Sequence, residues 1–335
     1  MRDVQASDER DAGAGIPYRL MFVWAGTHLP LFARLAVESA LQTNPDADIE
    51  IHLIGATPLH GRHLQALARR PRVTLHRVDV DNLFSGLDAP AERYRDLLER
   101  IPVDAHSARS NLVRLALLHR RGGVYLDTDI LCVRSLAHLL AHESFIGAER
   151  VWRVDEARVA GRYGAWMIAP TVAYALAYGL RCFDTRLLGG RRWLEPVAAR
   201  VDDAWSEIAL NNAVLGARPG SRFVRRLLAR ALGADPRRRY ALGPTLVTAV
   251  ARYDRSDVTV LPPEVFYLEP PSYSFRFFAG RPAPLPEETV LIHYVASNHR
   301  RTLATLCESR LVEERERGLF FRLGAAVLER AHQHS

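Results

Sequence analysis

The sequence contains no lysine, so all 45 residues counted as lysine plus arginine are arginine. A Walker-type loop needs a lysine on the nucleotide phosphates, and pyridoxal phosphate and lysine-based aldol chemistry need a lysine amine. The absence therefore excludes these three classes of enzyme.

Cysteine and long apolar runs are also scarce. Cys132, Cys182 and Cys307 are odd in number and widely separated, which matches neither a disulfide framework nor a zinc site. No apolar run approaches the length of a membrane span, and residues 1–15 are too polar and charged for a secretory signal. We therefore expect a cytoplasmic protein without a transmembrane segment, with a disordered tail over residues 1–15.

The chain is basic, with a formal net charge of +7. Its arginine clusters are scattered along the chain and are not interleaved with aromatic residues, as a nucleic-acid surface would require. We expect no nucleic-acid partner. A positive rim around an anionic small molecule is sufficient to explain the clusters that are not simply solvated.

The first 150 residues alternate between strand and helix patterns. The predicted strands are Arg19–Trp24, Ile49–Ile54 and Val73–Val78, and the predicted helices are Pro30–Gln42, His60–Arg69 and Ser107–Arg121. This order predicts an α/β fold with a doubly wound, mostly parallel central sheet, flanking helices and ligand at the carboxyl ends of the strands. Further strands are expected over Gly161–Ile168 and Thr289–Tyr294, and loops over Leu261–Tyr273 and Arg281–Glu287.

Two carboxylates follow a short apolar strand directly after a glycine pair, in the segment Gly122–Asp129. Side chains alternate in an extended chain, so Asp127 and Asp129 point the same way. Two oxygen ligands aimed at one spot suit Mg²⁺ or Mn²⁺, which takes its remaining ligands from water and substrate phosphates. Taken alone, the same pattern also fits a surface turn or a pair of capping carboxylates. The flanking apolar segments favour the metal, because uncompensated charge there is costly.

The helix before this motif carries three polar residues that can face one site. Ser110 and Asn111 lie one turn before Arg114. These residues and the two carboxylates lie on consecutive elements.

Together these segments resemble the signature of the DXD sugar-binding glycosyltransferases. This family includes the fungal initiating α-mannosyltransferases and, more distantly, the catalytic domains of the large glucosylating toxins. The resemblance rests on Ser110–Arg114, Leu118 and Gly122–Asp129, with further similar segments in chain order at Ile16–Pro17, Phe22–Gly26, Asn212–Ala217, Gly243–Thr245 and Ile292–Tyr294.

The resemblance implies a GT-A type fold in a single domain over residues 16–335. Its nucleotide-sugar half would span about residues 16–150, its acceptor half about residues 151–310, and a C-terminal helix residues 311–331. It implies a metal-dependent, retaining transfer of a hexose from a UDP- or GDP-sugar to an acceptor that the sequence does not identify.

Site roles follow from the resemblance position by position. Asp127 would bind the ribose and sugar hydroxyls of the donor, and Asp129 would bind Mn²⁺ or Mg²⁺, with Asp127 as a further candidate ligand. Trp24 would stack on the nucleobase, and Arg114 would hold a phosphate or the sugar. The remaining donor-binding candidates are Ser110, Asn111 and Asn212.

The chain departs from the family pattern at two places. Asn111 stands where relatives have Asp, so we expect no Asp–Arg pair there and an Arg114 that is freer to meet the donor. The closing motif lacks its usual Trp after His293. An imidazole can complete a Mn²⁺ site, so His293 is a candidate ligand, with Ser297, Asn298 and His299 as competitors and a core histidine as the plain alternative.

Two other functions fit parts of the pattern. A DxD-type phosphatase shares the carboxylate spacing, but its motif continues Gly-Thr where this chain has Ile130-Leu131, and it relies on a later lysine. A non-catalytic nucleotide-sugar binder is compatible with Asn111 and the missing Trp. The segment Leu311–Arg330 leaves open a peripheral membrane contact, although its glycines favour packing against the body of the protein.

Overall fold

The computed structural model describes residues 15–55, 61–159, 161, 164–281 and 284–333. The expected tail lies outside the described residues apart from Gly15. The strands of this part are β1 (Arg19–Ala25), β2 (Asp48–Ile54), β3 (Val73–Arg77), β4 (Gly123–Leu126), β5 (Ile130–Cys132), β6 (Ser144–Trp152), β7 (Ser206–Ala217), β8 (Thr259–Leu261) and β9 (Leu291–His293).

Seven of these strands form one sheet in the order β3-β2-β1-β4-β7-β6-β8. The pairs within β3-β2-β1-β4 are parallel, β7 runs antiparallel to both of its neighbours, and β8 is parallel to β6. The other two strands, β5 and β9, form a small antiparallel sheet. The predicted mostly parallel α/β sheet is confirmed.

Helices cover both faces of the large sheet. They are α1 (Leu31–Thr43), α2 (Arg62–Ala68), α3 (Val80–Leu83), α4 (Ala91–Arg100), α5 (His106–Arg121), α6 (Arg153–Val159), α7 (Ile168–Leu187), α8 (Glu195–Trp205), α9 (Arg222–Ala231), α10 (Pro244–Tyr253), α11 (Pro263–Phe266), α12 (Arg300–Ala304), α13 (Glu308–Glu313) and α14 (Leu319–Gln333). Leu20 and Phe22 of β1 join a core with α1 and α2, whereas Met21 and Val23 join one with α5, α9 and α10. The period-2 alternation of one strand thus supplies both cores.

The C-terminal segment forms two helices, α13 and α14, instead of the single expected helix over residues 311–331. A third core unites Phe320, Phe321 and Leu311 with Leu35 of α1. The apolar side of this segment therefore packs against the body of the protein. No helix of the described residues is both long and apolar enough to cross a membrane.

The strand expected over Gly161–Ile168 is wrong in its described part, because Ala165–Met167 form a 3-10 turn and α7 begins at Ile168. The inward residues of α7 include Ala173, Ala177 and Arg181, spaced by four. The buried residues that repeat with the helical period are small or charged. A prediction based on large apolar residues therefore does not find this helix. The loop expected over Leu261–Tyr273 contains α11, and residues 282–283 of the other loop lie outside the described part.

Candidate functional site

The DXD segment is positioned by the glycine pair that separates α5 from β4. Gly122 and Gly123 have φ values of +60° and +119°, which disfavour other residues. A Cβ on Gly123 would lie 2.7 Å from the carbonyl oxygen of Arg19, so only glycine lets β4 start this close to β1. At the other end of β4, the amide of Asp127 donates to the carbonyl of Ala213 at 2.8 Å. Asp127 therefore stands at the carboxyl end of a central strand.

The carboxylate of Asp127 is held by two neighbours. Arg114 donates to its Oδ1 at 2.8 Å, and the hydroxyl of Tyr125 donates to the same oxygen at 2.6 Å. Burial raises the pKa of Tyr125 well above its usual range, so its hydroxyl stays protonated as a donor. Burial also raises the pKa of Asp127, and the Arg114 guanidinium opposes that shift. Asp127 is thus fixed in position while its side chain stays 28% exposed.

Asp129 is brought to His293 by the small sheet. Ile130 of β5 pairs with His293 of β9, and His293 Nε2 lies 3.3 Å from Asp129 Oδ1. The amide of Ala296 donates to the other carboxylate oxygen at 2.9 Å. Burial raises the pKa of Asp129, but His293 and this amide outweigh it and bring the net pKa below the usual range. Burial lowers the pKa of His293, yet Asp129, Glu149 and Asp127 together raise it to about 9.

Asp127, Asp129 and His293 each place one ligand atom within 4.8 Å of the others, the single such group of three among the described residues. Two carboxylate oxygens and one imidazole nitrogen are a donor set that Mn²⁺ accepts, and Mg²⁺ accepts its oxygens. The residues present therefore fit a divalent cation.

A bulge in β7 supplies the polar wall beside this cluster. Ile146 pairs with Leu215 but the next residue of β6, Gly147, pairs with Asn211, so three residues of β7 are left over. The hydroxyl of Tyr267 fills the gap, since it accepts from the amide of Val214 and donates to the carbonyl of Asn211, both at 3.1 Å. The bulge turns Asn212 towards α5.

Asn212 connects the bulge to the helix that carries Asn111 and Arg114. Its carbonyl accepts from Arg114, and its side-chain amide donates to Asn111 Oδ1 at 3.0 Å. A Cβ on Gly243 would lie 2.8 Å from Asn111 Nδ2 and 3.4 Å from Asn212 Oδ1. Gly243, just before α10, therefore packs closely on this amide pair, and a larger residue there would have to displace the Asn111 amide.

The structure gathers Ser110, Asn111, Arg114, Asn212 and Asp127, as the sequence predicted, but it corrects the position of Arg114. We expected Asn111 to leave Arg114 free for the donor. Instead the Arg114 side chain is 2% exposed, and it is occupied by Asp127, the Asn212 carbonyl and the ring of Tyr125, 3.9 Å below the guanidinium. A buried guanidinium needs such partners, and the adjacent Asp127 replaces the missing residue-111 carboxylate as its counterion.

Trp24 lies at the carboxyl end of β1, near a cavity of about 540 Å³. Its ring meets Phe32 edge-on at 6.4 Å between centroids, and Phe32 lines that cavity. Ala296, whose amide binds Asp129, lines the cavity with Ser297 and Arg300. The indole Nε1 of Trp24 is buried and has no hydrogen-bond partner in the part of the chain that the structure describes. The cavity therefore has Phe32 on its wall and adjoins the cluster through Ala296.

Sequence reasoning missed four contributors to the site. Tyr125, Glu149, Asn211 and Tyr267 surround the predicted residues. Tyr125 could have been found, because it shares the strand face of Asp127 two residues on. Glu149 is buried and accepts from Asn211 Nδ2 at 2.8 Å, a contact between distant segments that leaves no local signal. Of the competitors of His293, His299 bonds to Ser274 instead, at 2.9 Å between His299 Nε2 and Ser274 Oγ.

Comparison with known proteins agrees with this geometry. Residues 33–146 match the family model described as a glycosyltransferase sugar-binding region containing a DXD motif. No curated protein matches the chain. The match covers less than half of the chain and confirms the predicted resemblance to this family.

Solved structures of glycosyltransferases are also similar to the chain. The PaToxG glycosyltransferase is 14% identical, with 72% of this chain and 70% of that chain covered and a TM-score of 0.44. The UDP-bound glycosyltransferase domain of the YGT toxin is 13% identical, with 74% of this chain and 80% of that chain covered and a TM-score of 0.43. Mouse xyloside xylosyltransferase 1 is 12% identical, with 83% of this chain and 97% of that chain covered and a TM-score of 0.46. All three TM-scores lie below 0.5, so these likenesses carry no argument about the function of the chain.

Proposed function

We propose that this protein is a glycosyltransferase that moves a hexose from a UDP- or GDP-sugar to an acceptor with retention of configuration, with Mn²⁺ or Mg²⁺ at Asp129, His293 and Asp127. The observation that carries the proposal is the convergence of these three side chains at the carboxyl end of β4. Ligands of open α/β sheets bind at that edge. We also propose that residues 16–335 act as one domain, with the donor bound by the half before about residue 150.

The leaving group of such a transfer is a nucleoside diphosphate that gains negative charge as the sugar departs. A divalent cation at the cluster would supply the charge neutralisation that this departure needs. Asp129 and His293 would hold it, with Asp127 beside them. No lysine exists to take this part, so the remaining positive charge must come from arginine.

Asp127 is suited to hold the ribose and sugar hydroxyls of the donor. Its Oδ1 is occupied by Arg114 and Tyr125, whereas none of the described residues donates a hydrogen bond to its Oδ2. Ionised carboxylates only accept hydrogen bonds, so hydroxyls are fitting partners. Arg114 acts in this proposal as a positioning residue that keeps Asp127 oriented and ionised, which replaces its earlier expected role on the donor phosphate.

The cavity beside the cluster is suited to the nucleotide. Its volume of about 540 Å³ falls within the usual range for small-molecule sites. Trp24 offers a ring for stacking and an unpartnered N–H, while Ser297 and Arg300 lie where the diphosphate would meet the cluster. Arg300 would then supply the cationic contact that Arg114 cannot, because Arg300 is exposed at the first residue of α12.

A thermal-shift screen of UDP-, GDP- and dTDP-sugars, with and without Mn²⁺, tests the proposal. A ligand at 100 times its Kd stabilises the folded state by about 2.7 kcal/mol, so the true donor should raise Tm clearly and only with the cation. Donor hydrolysis in the same mixtures then reports turnover without a known acceptor.

The variant Arg300→Met should reduce the shift given by that donor, and Arg301→Met, next to it on α12, is the matched control. Equal shifts for both variants would remove Arg300 from the donor site. A screen in which no sugar nucleotide raises Tm would contradict the proposed function itself.

A further inference from the structure

Helix α7 presents large apolar side chains to solvent, whereas its buried side consists of small residues and, towards its C-terminal end, of polar ones. Ile168, Val172, Leu176, Phe183 and Leu187 are each 48–70% exposed, whereas the buried positions include Arg181, Asp184 and Thr185. Between Gly164 and Phe183, every exposed residue that the structure describes is apolar, a glycine or Tyr178. An ordinary surface helix shows the opposite pattern.

This orientation is fixed by buried contacts. Arg181 forms ion pairs with Glu195 and Asp202 of α8, each at 2.6 Å, and its guanidinium lies 4.2 Å from the centre of the Tyr273 ring. The carboxylate of Asp184 accepts from the amides of Arg192 and Trp193. Rotating α7 to bury its leucines would expose or orphan these charges, which is costly. The outward apolar face is therefore a set feature of the fold.

Helix α7 lies near the end of the sheet at which the site is found. Leu126, the last residue of β4, pairs with Val214 of β7, so residues 206–213 of β7 extend past the end of β4. They run alongside β6 up to Trp152, which packs on Tyr174 of α7 at 5.2 Å between ring centres. Helix α7 is thus packed beyond the carboxyl end of β4, the end at which Asp127 stands.

The chemistry of the face favours a lipid surface over a protein. Protein interfaces carry about one hydrogen bond per 100–200 Å² and a polar rim, and the exposed part of α7 before Arg186 offers only the hydroxyl of Tyr178. Exposed Trp166 and Trp193 lie just before and just after α7, and indoles favour membrane interfaces. Arg186 and Arg191 are exposed at its C-terminal end, on a chain of net charge +7.

The net charge of the chain also argues against a second copy of the chain as the partner of this face. Two copies of a +7 chain repel each other, whereas anionic lipids attract it. Residues 1–14 contain six charged residues and only Met1 and Val4 as large apolar ones, so their sequence is unsuited to cover the face. We infer that the outward face of α7, with Trp166 and Trp193, binds the surface of a membrane that contains anionic lipids.

Membrane binding through α7 would bring the carboxyl end of β4, where the site lies, towards the lipid surface. If the proposed function holds, the acceptor is then a molecule displayed at that surface, such as a lipid-linked one. This consequence rests on the proposed function, whereas the membrane binding does not. Vesicle binding and donor hydrolysis therefore test the two separately.

The test is flotation of the full chain with vesicles of phosphatidylcholine alone or with 30% phosphatidylglycerol, about the anionic content needed for attraction. We expect binding to the mixed vesicles, weakened by salt because arginines contribute. The double variant Val172→Glu/Leu176→Glu should lower the partition coefficient about tenfold or more, since it places charge on the apolar face that would enter the membrane. Its donor hydrolysis should be unchanged.

The matched control is Val103→Glu/Val312→Glu, which charges two exposed valines away from α7, one of them in the C-terminal segment. It should bind vesicles like the wild type. The inference is overturned if the wild type binds neither vesicle, if the α7 variant binds like the wild type, or if the control loses binding equally. It is also overturned if light scattering finds a dimer that the α7 variant converts to a monomer.

Discussion

The pairing of Arg114 with Asp127 makes a quantitative prediction about stability. The two side chains are 2% and 28% exposed, so Arg114→Met leaves a largely desolvated carboxylate without its cation. Breaking a buried pair by removing one partner costs 3–5 kcal/mol, and the partial exposure of Asp127 places this one near the lower end, about 3 kcal/mol. The carbonyl of Asn212 also loses its donor, which adds to the cost.

A double-mutant cycle with Asp127→Asn isolates the pair. Asp127→Asn alone leaves a buried guanidinium facing a neutral amide, and we expect a loss of about 2 kcal/mol. The double variant contains neither charge, so its loss should be smaller than the sum of the single losses by about 1–2 kcal/mol. Denaturant unfolding followed by tryptophan fluorescence and by circular dichroism measures the three values.

The exposed pair of Arg225 and Asp88 is the matched control, because its distance of 2.8 Å is the same but both side chains face solvent. Arg225→Met should change stability little. A stabilising interaction between Arg114 and Asp127 is ruled out if Arg114→Met is no more destabilising than Arg225→Met, or if the double-mutant cycle shows no coupling.

Three further predictions concern the donor. Trp24→Ala should weaken nucleoside diphosphate binding by about 1–3 kcal/mol in calorimetry, and unchanged affinity would return Trp24 to the core. Asn111→Asp should alter relative turnover among donor sugars more than affinity for the bare nucleoside diphosphate, and parallel changes would show that Asn111 does not read the sugar. Gly243→Ala should lower donor turnover, because its Cβ displaces the Asn111 and Asn212 amides, and wild-type turnover would show that the turn yields instead.

Much of the fold could be predicted from local patterns. The strands β1, β2 and β3 have residues that alternate or run apolar between clear helix segments, and the structure keeps them within one residue of the prediction. The DXD junction was partly legible, because the glycine pair ends α5 and the strand period aligns Tyr125 with Asp127. The expectation that an extended chain also aligns Asp129 was wrong, since Thr128 and Asp129 lie in a turn. These features depend on residues close in sequence.

The remaining features depend on contacts between distant segments. Arg114 meets the carbonyl of Asn212, 98 residues away, through a bulge that only the pairing of β6 with β7 creates. The inverted polarity of α7 likewise follows from Arg181 and its partners on α8. A sequence pattern assumes that large apolar residues face inward, and it fails where ion pairs hold the inner face.

The proposed role of Asp129 as a ligand of the divalent cation is tested by measuring donor hydrolysis by Asp129→Asn as a function of Mn²⁺ concentration. The donor is the sugar nucleotide found in the thermal-shift screen, and Asp203→Asn, which changes an exposed carboxylate on α8, is the control. The substitution removes a charged ligand but keeps an acceptor for the Ala296 amide, so the variant should stay folded. We predict cation-dependent hydrolysis in the wild type and the control. In Asp129→Asn the rate of hydrolysis should fall by at least about a hundredfold. Wild-type hydrolysis by the folded Asp129→Asn variant would contradict this role of Asp129.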